Sequence, residues 1–140
     1  MQLQIKKLTD TAVVPVFAHK ADAGMDFCAN EAVIIAPGER VVISTGIAMA
    51  IPEGYVGLIW DKSGVSTKRG LKTLAGVVDA GYRGEIKIGL YNIGSEVQEF
   101  AIGDKIAQML IQKVEQPHIA IVASLDETSR GEGGFGSTGV

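Results

Sequence analysis

Residues 76 to 95 read GVVDAGYRGEIKIGLYNIGS, and the second half of that stretch decides the fold. From Gly84 onward, GEIKIGLYNIGS alternates apolar with other residues until Gly94-Ser95 ends the run. A period of two over that length marks a half-buried strand. The first half, GVVDAGYRGE, reads as a hairpin, with Gly76, Gly81 and Gly84 allowing tight backbone bends. Such a turn sets Asp79 and Tyr82 close together.

Outward from this stretch the same grammar repeats. AVII at 32 to 35 leads into the turn APGE, VVISTGIAMAI at 41 to 51 runs to the turn PEG, and YVGLIW follows. KIAQMLIQKV at 105 to 114 has a helical composition, but its β-branched flanks and the regular spacing around it favour a strand. Only SGVSTKRGL, 63 to 71, suits a short helical turn. Many short strands with frequent turns predict an all-β protein, a jelly-roll-like β-barrel with one short helix. The barrel domain is expected over residues 1 to 125. DETSRGEGGFGSTGV at 126 to 140 carries one large apolar side chain, too little to hold it against the entropy of its glycines. It reads as a flexible C-terminal arm, either a plain disordered tail or a lid.

At 140 residues the chain suits one domain that buries about two thirds of its unfolded surface. Its single cysteine, Cys28, excludes an intramolecular disulfide and a C-x-x-C metal site, and reads as a small buried hydrophobe. MQLQIKKLTD lacks the apolar stretch of a secretory signal, and no apolar run approaches the roughly 18 residues of a membrane span. A soluble, cytoplasmic protein without membrane contact is expected. A net charge of -3 and a pI near 5.3 argue against binding long nucleic acid, which needs a broad basic face. A small polyanion remains possible where a few cations or a metal ion are placed locally.

Several residues could serve such a ligand. Phe135 has glycine on both sides and could stack on a base, which is worth about 1 to 3 kcal/mol. Arg130 could fork onto phosphate oxygens, while Ser137 and Thr138 add hydroxyls. DKSG at 61 to 64 offers Lys62, the Ser63 hydroxyl and the Gly64 amide ahead of the helical turn. The Asp79 carboxylate could orient and deprotonate a water. Plainer roles stand beside these: Asp79 and Asp26 as turn carboxylates, Tyr82 and Gln108 as barrel residues, Val77 and Val78 as strand core. His19 and His118 are far apart, so a caged transition metal is not expected, whereas Mg2+ would favour phosphate oxygens.

AGMDFCA at 23 to 29, DKSG, GVVDAGYRGE, GDKIAQ at 103 to 108 and RGEGGFGSTG at 130 to 139 appear in that order. Together they resemble the motifs of the homotrimeric dUTP pyrophosphatase (dUTPase) family over essentially the whole chain. The resemblance implies hydrolysis of dUTP to dUMP and pyrophosphate, with Asp79 activating the water that attacks the α-phosphorus. It places Tyr82 under the deoxyribose, excluding UTP, and puts Thr73, Gly76, Val77, Val78 and Lys87 near uracil. Lys62, Ser63, Gly64, Gln108 and Arg130 would meet the phosphates. Phe135 would cover the base, with Gly136 and Ser137 in the same lid. Mg2+ would ride on the three phosphates, its waters touched by Asp26 and Gln108. Each site would be assembled from three chains.

Lysine stands at position 62 where the family usually has arginine, keeping the charge but losing the planar fork. Asp61 adds a negative neighbour. Two other readings share the scaffold: a module that senses dUTP without hydrolysing it, and a dCTP deaminase. The deaminase needs a glutamate where this chain has Gly89.

Overall fold

The protein is described by a computed structural model covering residues 2 to 134. Its strands are β1 (Gln4–Lys7), β2 (Met25–Cys28), β3 (Val33–Ile35), β4 (Arg40–Ala50), β5 (Tyr55–Trp60), β6 (Leu71–Leu74), β7 (Val77–Val78), β8 (Glu85–Asn92), β9 (Gln98–Phe100) and β10 (Lys105–Lys113). One four-stranded sheet runs β1-β4-β8-β6, a second runs β2-β10-β5-β7, and β3 pairs with β9. Neighbouring strands are antiparallel. The architecture is all-β, a jelly-roll-like barrel.

β8 alternates as its sequence requires. Ile86, Ile88, Leu90 and Asn92 are buried, while Lys87 and Tyr91 face out. Ile86, Ile88 and Leu90 join Phe27 of β2 and Ile106 and Met109 of β10 in one apolar core shared by the two sheets. The segment 105 to 114 is a strand through Lys113. Asn92, buried within this core, donates from Nδ2 to the carbonyls of Ile35 (3.0 Å) and Glu96 (2.8 Å), and its Oδ1 accepts from Gly94 N (3.0 Å). Such pairing is what makes a buried amide tolerable. Cys28 is buried, and that burial raises its thiol above the ordinary range.

The helical turn lies inside the expected stretch, as one five-residue turn of π-helix, α1 (Gly64–Lys68). It is anchored by Val65, its buried residue, and closes where Gly70, at φ +65°, donates to Ser66 O (3.0 Å). No helix among the described residues is long and apolar enough to cross a membrane.

The stretch 76 to 85 differs from the expected hairpin. Val77 and Val78 pair with Leu58 and Gly57 of β5 in the second sheet, whereas β8 pairs with β4 and β6 in the first. The intervening residues therefore cross between sheets. The chain thus passes from the first sheet (β6) to the second (β7) and back (β8). The first crossing turns on Ala75 and Gly76, at φ 59° and 116°. The return crossing starts with a turn in which Tyr82 N donates to Asp79 O (3.1 Å).

The landing of β8 is fixed by Glu85. Opposite it, β4 carries a bulge between Ser44 and Ala48, where Gly46 adopts φ +65°. The Glu85 carboxylate fills the bulge, accepting from Gly46 N (2.8 Å) and from the Ser44 hydroxyl. After β10, Val114 N still bonds Gly54 O (3.0 Å), and the described residues from 115 onward form no strand or helix.

Candidate active site

The double crossing opens a cavity of about 370 Å³ between the sheets. Gly76, Val77, Val78, Asp79, Tyr82 and Lys87 line it together, with Val42, Ile59, Leu74 and Gly89 among the remaining walls. That volume lies in the range of small-molecule sites. Val77 is 69% exposed, so its side chain is not core despite belonging to a strand. Tyr82 is half exposed and its hydroxyl donates to Glu85 O (2.9 Å), which steadies the ring beside the cavity. Lys87 Nζ lies 3.8 Å from Glu85 Oε2. Asp79 is exposed on the crossing loop, open to water.

A second cavity, about 340 Å³, is lined by Asp22, Gly24, Asp26, Trp60, Asp61, Lys62 and Gln108. Asp26 sits on β2, not in a turn, and is only 5% exposed. Lys62 Nζ is 2.7 Å from its Oδ1 and Lys105 Nζ is 2.7 Å from its Oδ2. A carboxylate so enclosed needs such partners. Gln108, on β10 directly opposite Trp60, donates from Nε2 to Asp61 O (2.9 Å). Ser63 and Gly64 are exposed at the start of α1.

The remaining expected residues lie elsewhere. Thr73 is held by Asp61 and lines neither of these two cavities. Arg130 bonds its own exposed turn, Nε to Gly133 O at 2.8 Å, and also lines neither. Phe135, Gly136 and Ser137 lie outside the described residues. No single chain therefore presents the whole set in one place among its described residues.

Burial alone would raise the carboxyls of Asp26, Asp61 and Glu85, yet each is held below its ordinary value. Lys105 and Lys62 do this for Asp26, Lys72 and Thr73 for Asp61, and Ser44 and the Gly46 amide for Glu85. The unfolded chain then binds more protons than the folded one in acid, so stability is lost as the pH is lowered. Thermal stability should be nearly pH-independent between about pH 5 and 8, begin to weaken near pH 4 where free carboxylates titrate, and fall further through the lower folded values. A Tm that rises on acidification below pH 4 would contradict these three pairings.

The dUTPase family profile matches residues 10–139. The chain belongs to the dUTPase family. Among curated relatives, the deoxyuridine 5'-triphosphate nucleotidohydrolase of Nocardia farcinica is 50% identical over 98% of this chain and 85% of its own. That of Clostridium kluyveri is 44% identical over 99% of both. Among solved structures, the Staphylococcus bacteriophage 80alpha dUTPase with dUpNHpp superposes with a TM-score of 0.93 at 35% identity, covering 99% of each chain. A mutant dUTPase of the Staphylococcus aureus phage phi11, described with a structural Mg(II) ion, gives 0.84 at 33% identity over 89% of this chain and 98% of that one.

Within this dUTPase-family chain, three residues that bear on the site escape a reading of the motifs alone. Lys105 lies inside GDKIAQ but shows its part only as the second cation on Asp26. Glu85, at the end of GVVDAGYRGE, matters through a bulge that sequence does not reveal. Lys72 lies in no motif and pairs with Asp61 at 2.6 Å. Opposite charges close to known motif residues were the available signal.

Proposed function

We infer that the protein hydrolyses dUTP to dUMP and pyrophosphate, drawing down dUTP and supplying dUMP. The observation that carries this is the inter-sheet cavity of a dUTPase-family chain, where Asp79, Tyr82, Lys87 and the Gly76–Val78 backbone converge. Uracil enters between the Gly76–Val78 edge and β8, whose backbone groups can pair with its polar rim. Tyr82 lies under the sugar, with its hydroxyl spent on Glu85 O (2.9 Å), and leaves no room for a ribose 2'-hydroxyl. Asp79 takes a proton from water as that oxygen bonds to the α-phosphorus. The bond to the bridging oxygen breaks, and pyrophosphate leaves with the electron pair.

The phosphates need cations. Lys62 and Gln108 line the second cavity, Ser63 and Gly64 follow Lys62 in the chain, and the arm from 126 to 140 would add Arg130, with Phe135, Gly136 and Ser137 closing over the base. These elements and the Asp79 cavity have separate linings on one chain, which supports a homotrimer whose sites are shared between subunits. Among the described residues no group of three or more His, Cys, Asp or Glu is placed to hold a metal. Mg2+ carried on the triphosphate would neutralise charge there, with Gln108 and Asp26 nearby in the second cavity, the Asp26 carboxylate acting through Lys62 and Lys105, which hold its two oxygens. A buried lone cysteine suits a reducing, cytoplasmic setting.

Deamination would require a carboxylate at position 89, where Gly89 packs so tightly that a Cβ would stand 3.1 Å from Leu74 Cβ. A sensing module would bind dUTP and release no pyrophosphate. The test is pyrophosphate release from dUTP, dCTP, dTTP and UTP with Mg2+, repeated with EDTA. Turnover of dUTP should exceed the others by roughly 10²-fold or more and collapse with the chelator. Binding of dUTP without release would replace hydrolysis by sensing.

A further inference from the structure

Asp61 follows the last residue of β5, Trp60, and opens the Lys62-Ser63-Gly64 loop, yet its carboxylate does not serve that loop directly. It reaches to the other sheet. Oδ1 accepts from Thr73 N (2.7 Å) and from Thr73 Oγ1 (2.8 Å), and Oδ2 lies 2.6 Å from Lys72 Nζ. The Asp61 carbonyl meanwhile accepts from Gln108 Nε2 (2.9 Å) on β10. One residue thus joins the second sheet to β6 of the first at the point where the loop departs. Two residues past Thr73 the chain makes the Ala75-Gly76 turn into the nucleotide cavity.

A carboxylate next to a triphosphate loop should weaken binding through like-charge repulsion. Here that charge is engaged by Lys72 and by both Thr73 donors. Burial would favour the neutral acid, but Lys72 and both Thr73 donors outweigh it and keep Asp61 ionised. An anion held in this way is an anchor for the loop behind it.

We propose that Asp61 is a positioning residue, which sets the Lys62-Ser63-Gly64 loop for the phosphate chain by locking it to Thr73 and Lys72 of β6. The role rests on the dUTP reading above and extends it to a residue whose carboxylate is spent on β6. It separates two kinds of recognition: the base and sugar are read in the inter-sheet cavity, and the outer phosphates depend on the loop. Loss of the anchor should therefore cost triphosphate binding selectively.

The test compares binding of dUpNHpp with Mg2+ against binding of dUMP. For Asp61→Ala, dUpNHpp affinity should fall about tenfold while dUMP affinity stays within about twofold, the loss expected for hydrogen bonds to a charged group. Asp61→Asn keeps an oxygen for the Thr73 donors and should recover most of the difference. Thr73→Val removes one bond to the same carboxylate, should shift the same ratio by a smaller amount, and decides the matter if Asp61→Ala does not fold. Equal losses for the two ligands, or none, overturn the positioning role. A wild-type chain that binds neither ligand overturns the dUTP reading itself, and this role with it.

Discussion

Asp79→Asn is expected to bind dUpNHpp at near wild-type strength and to release pyrophosphate from dUTP roughly 10²- to 10⁴-fold more slowly. Asparagine has nearly the shape of aspartate but cannot accept the proton of the attacking water. Among the described residues no hydrogen bond uses the carboxylate: the turn at this position is closed by the backbone, with Tyr82 N donating to Asp79 O (3.1 Å). The cavity walls should therefore stay in place, and Tm should be unchanged. Measuring kcat, analogue affinity and Tm on one preparation separates chemistry from folding. A stable variant with an undiminished rate would remove Asp79 as the base and leave the water to another group.

Gly76→Ala is expected to damage both the fold and the site. Gly76 adopts φ +116°, which side chains rarely occupy, and a Cβ there would stand 2.9 Å from Ile59 O. The contact has no easy escape. Ile59 N donates to Gly76 O at 2.7 Å, so any movement that relieves the methyl weakens the bond that holds this edge to β5. The strain should cost about 1 to 3 kcal/mol and appear as a lowered Tm. Affinity for dUMP and for dUpNHpp should fall together, because the wall that meets the base is displaced. That pattern differs from the selective loss expected at Asp61. Wild-type Tm and affinity in Gly76→Ala would show that the turn is not the pocket's fixed edge.

What the sequence made legible was whatever repeats locally. The alternation of GEIKIGLYNIGS specified β8 and its buried face, and the spacing of turns made a strand of 105 to 113. The short helix could be named in the same way, whereas most residues of the inter-sheet cavity were named through the resemblance of their motifs to the family. What stayed hidden depends on partners remote in sequence. Two residues, Val77 and Val78, are too few to show a period, and only their pairing with Gly57 and Leu58 puts them in the second sheet. The same limit applies to charge. Asp26 reads as a turn residue because a carboxylate is seldom buried alone. Its burial is acceptable only once Lys62 and Lys105 arrive from two other segments. Asp61 next to Lys62 looks like an electrostatic cost until Lys72 and Thr73 are seen to absorb it.

The passage of β6, β7 and β8 through two sheets also governs when the site can come into being. Its walls gain their partners from β5 on one side and β4 on the other, so no short-range turn can build the cavity by itself. Closing such distant pairings costs chain entropy before any contact repays it, and topologies of this kind fold slowly. An intermediate with one sheet formed would show β-structure by circular dichroism but have only half of a nucleotide pocket. On refolding from urea, nucleotide affinity should accordingly return later than secondary structure. During synthesis it should be absent until β8 has joined β4, well after β5 and β6 have emerged.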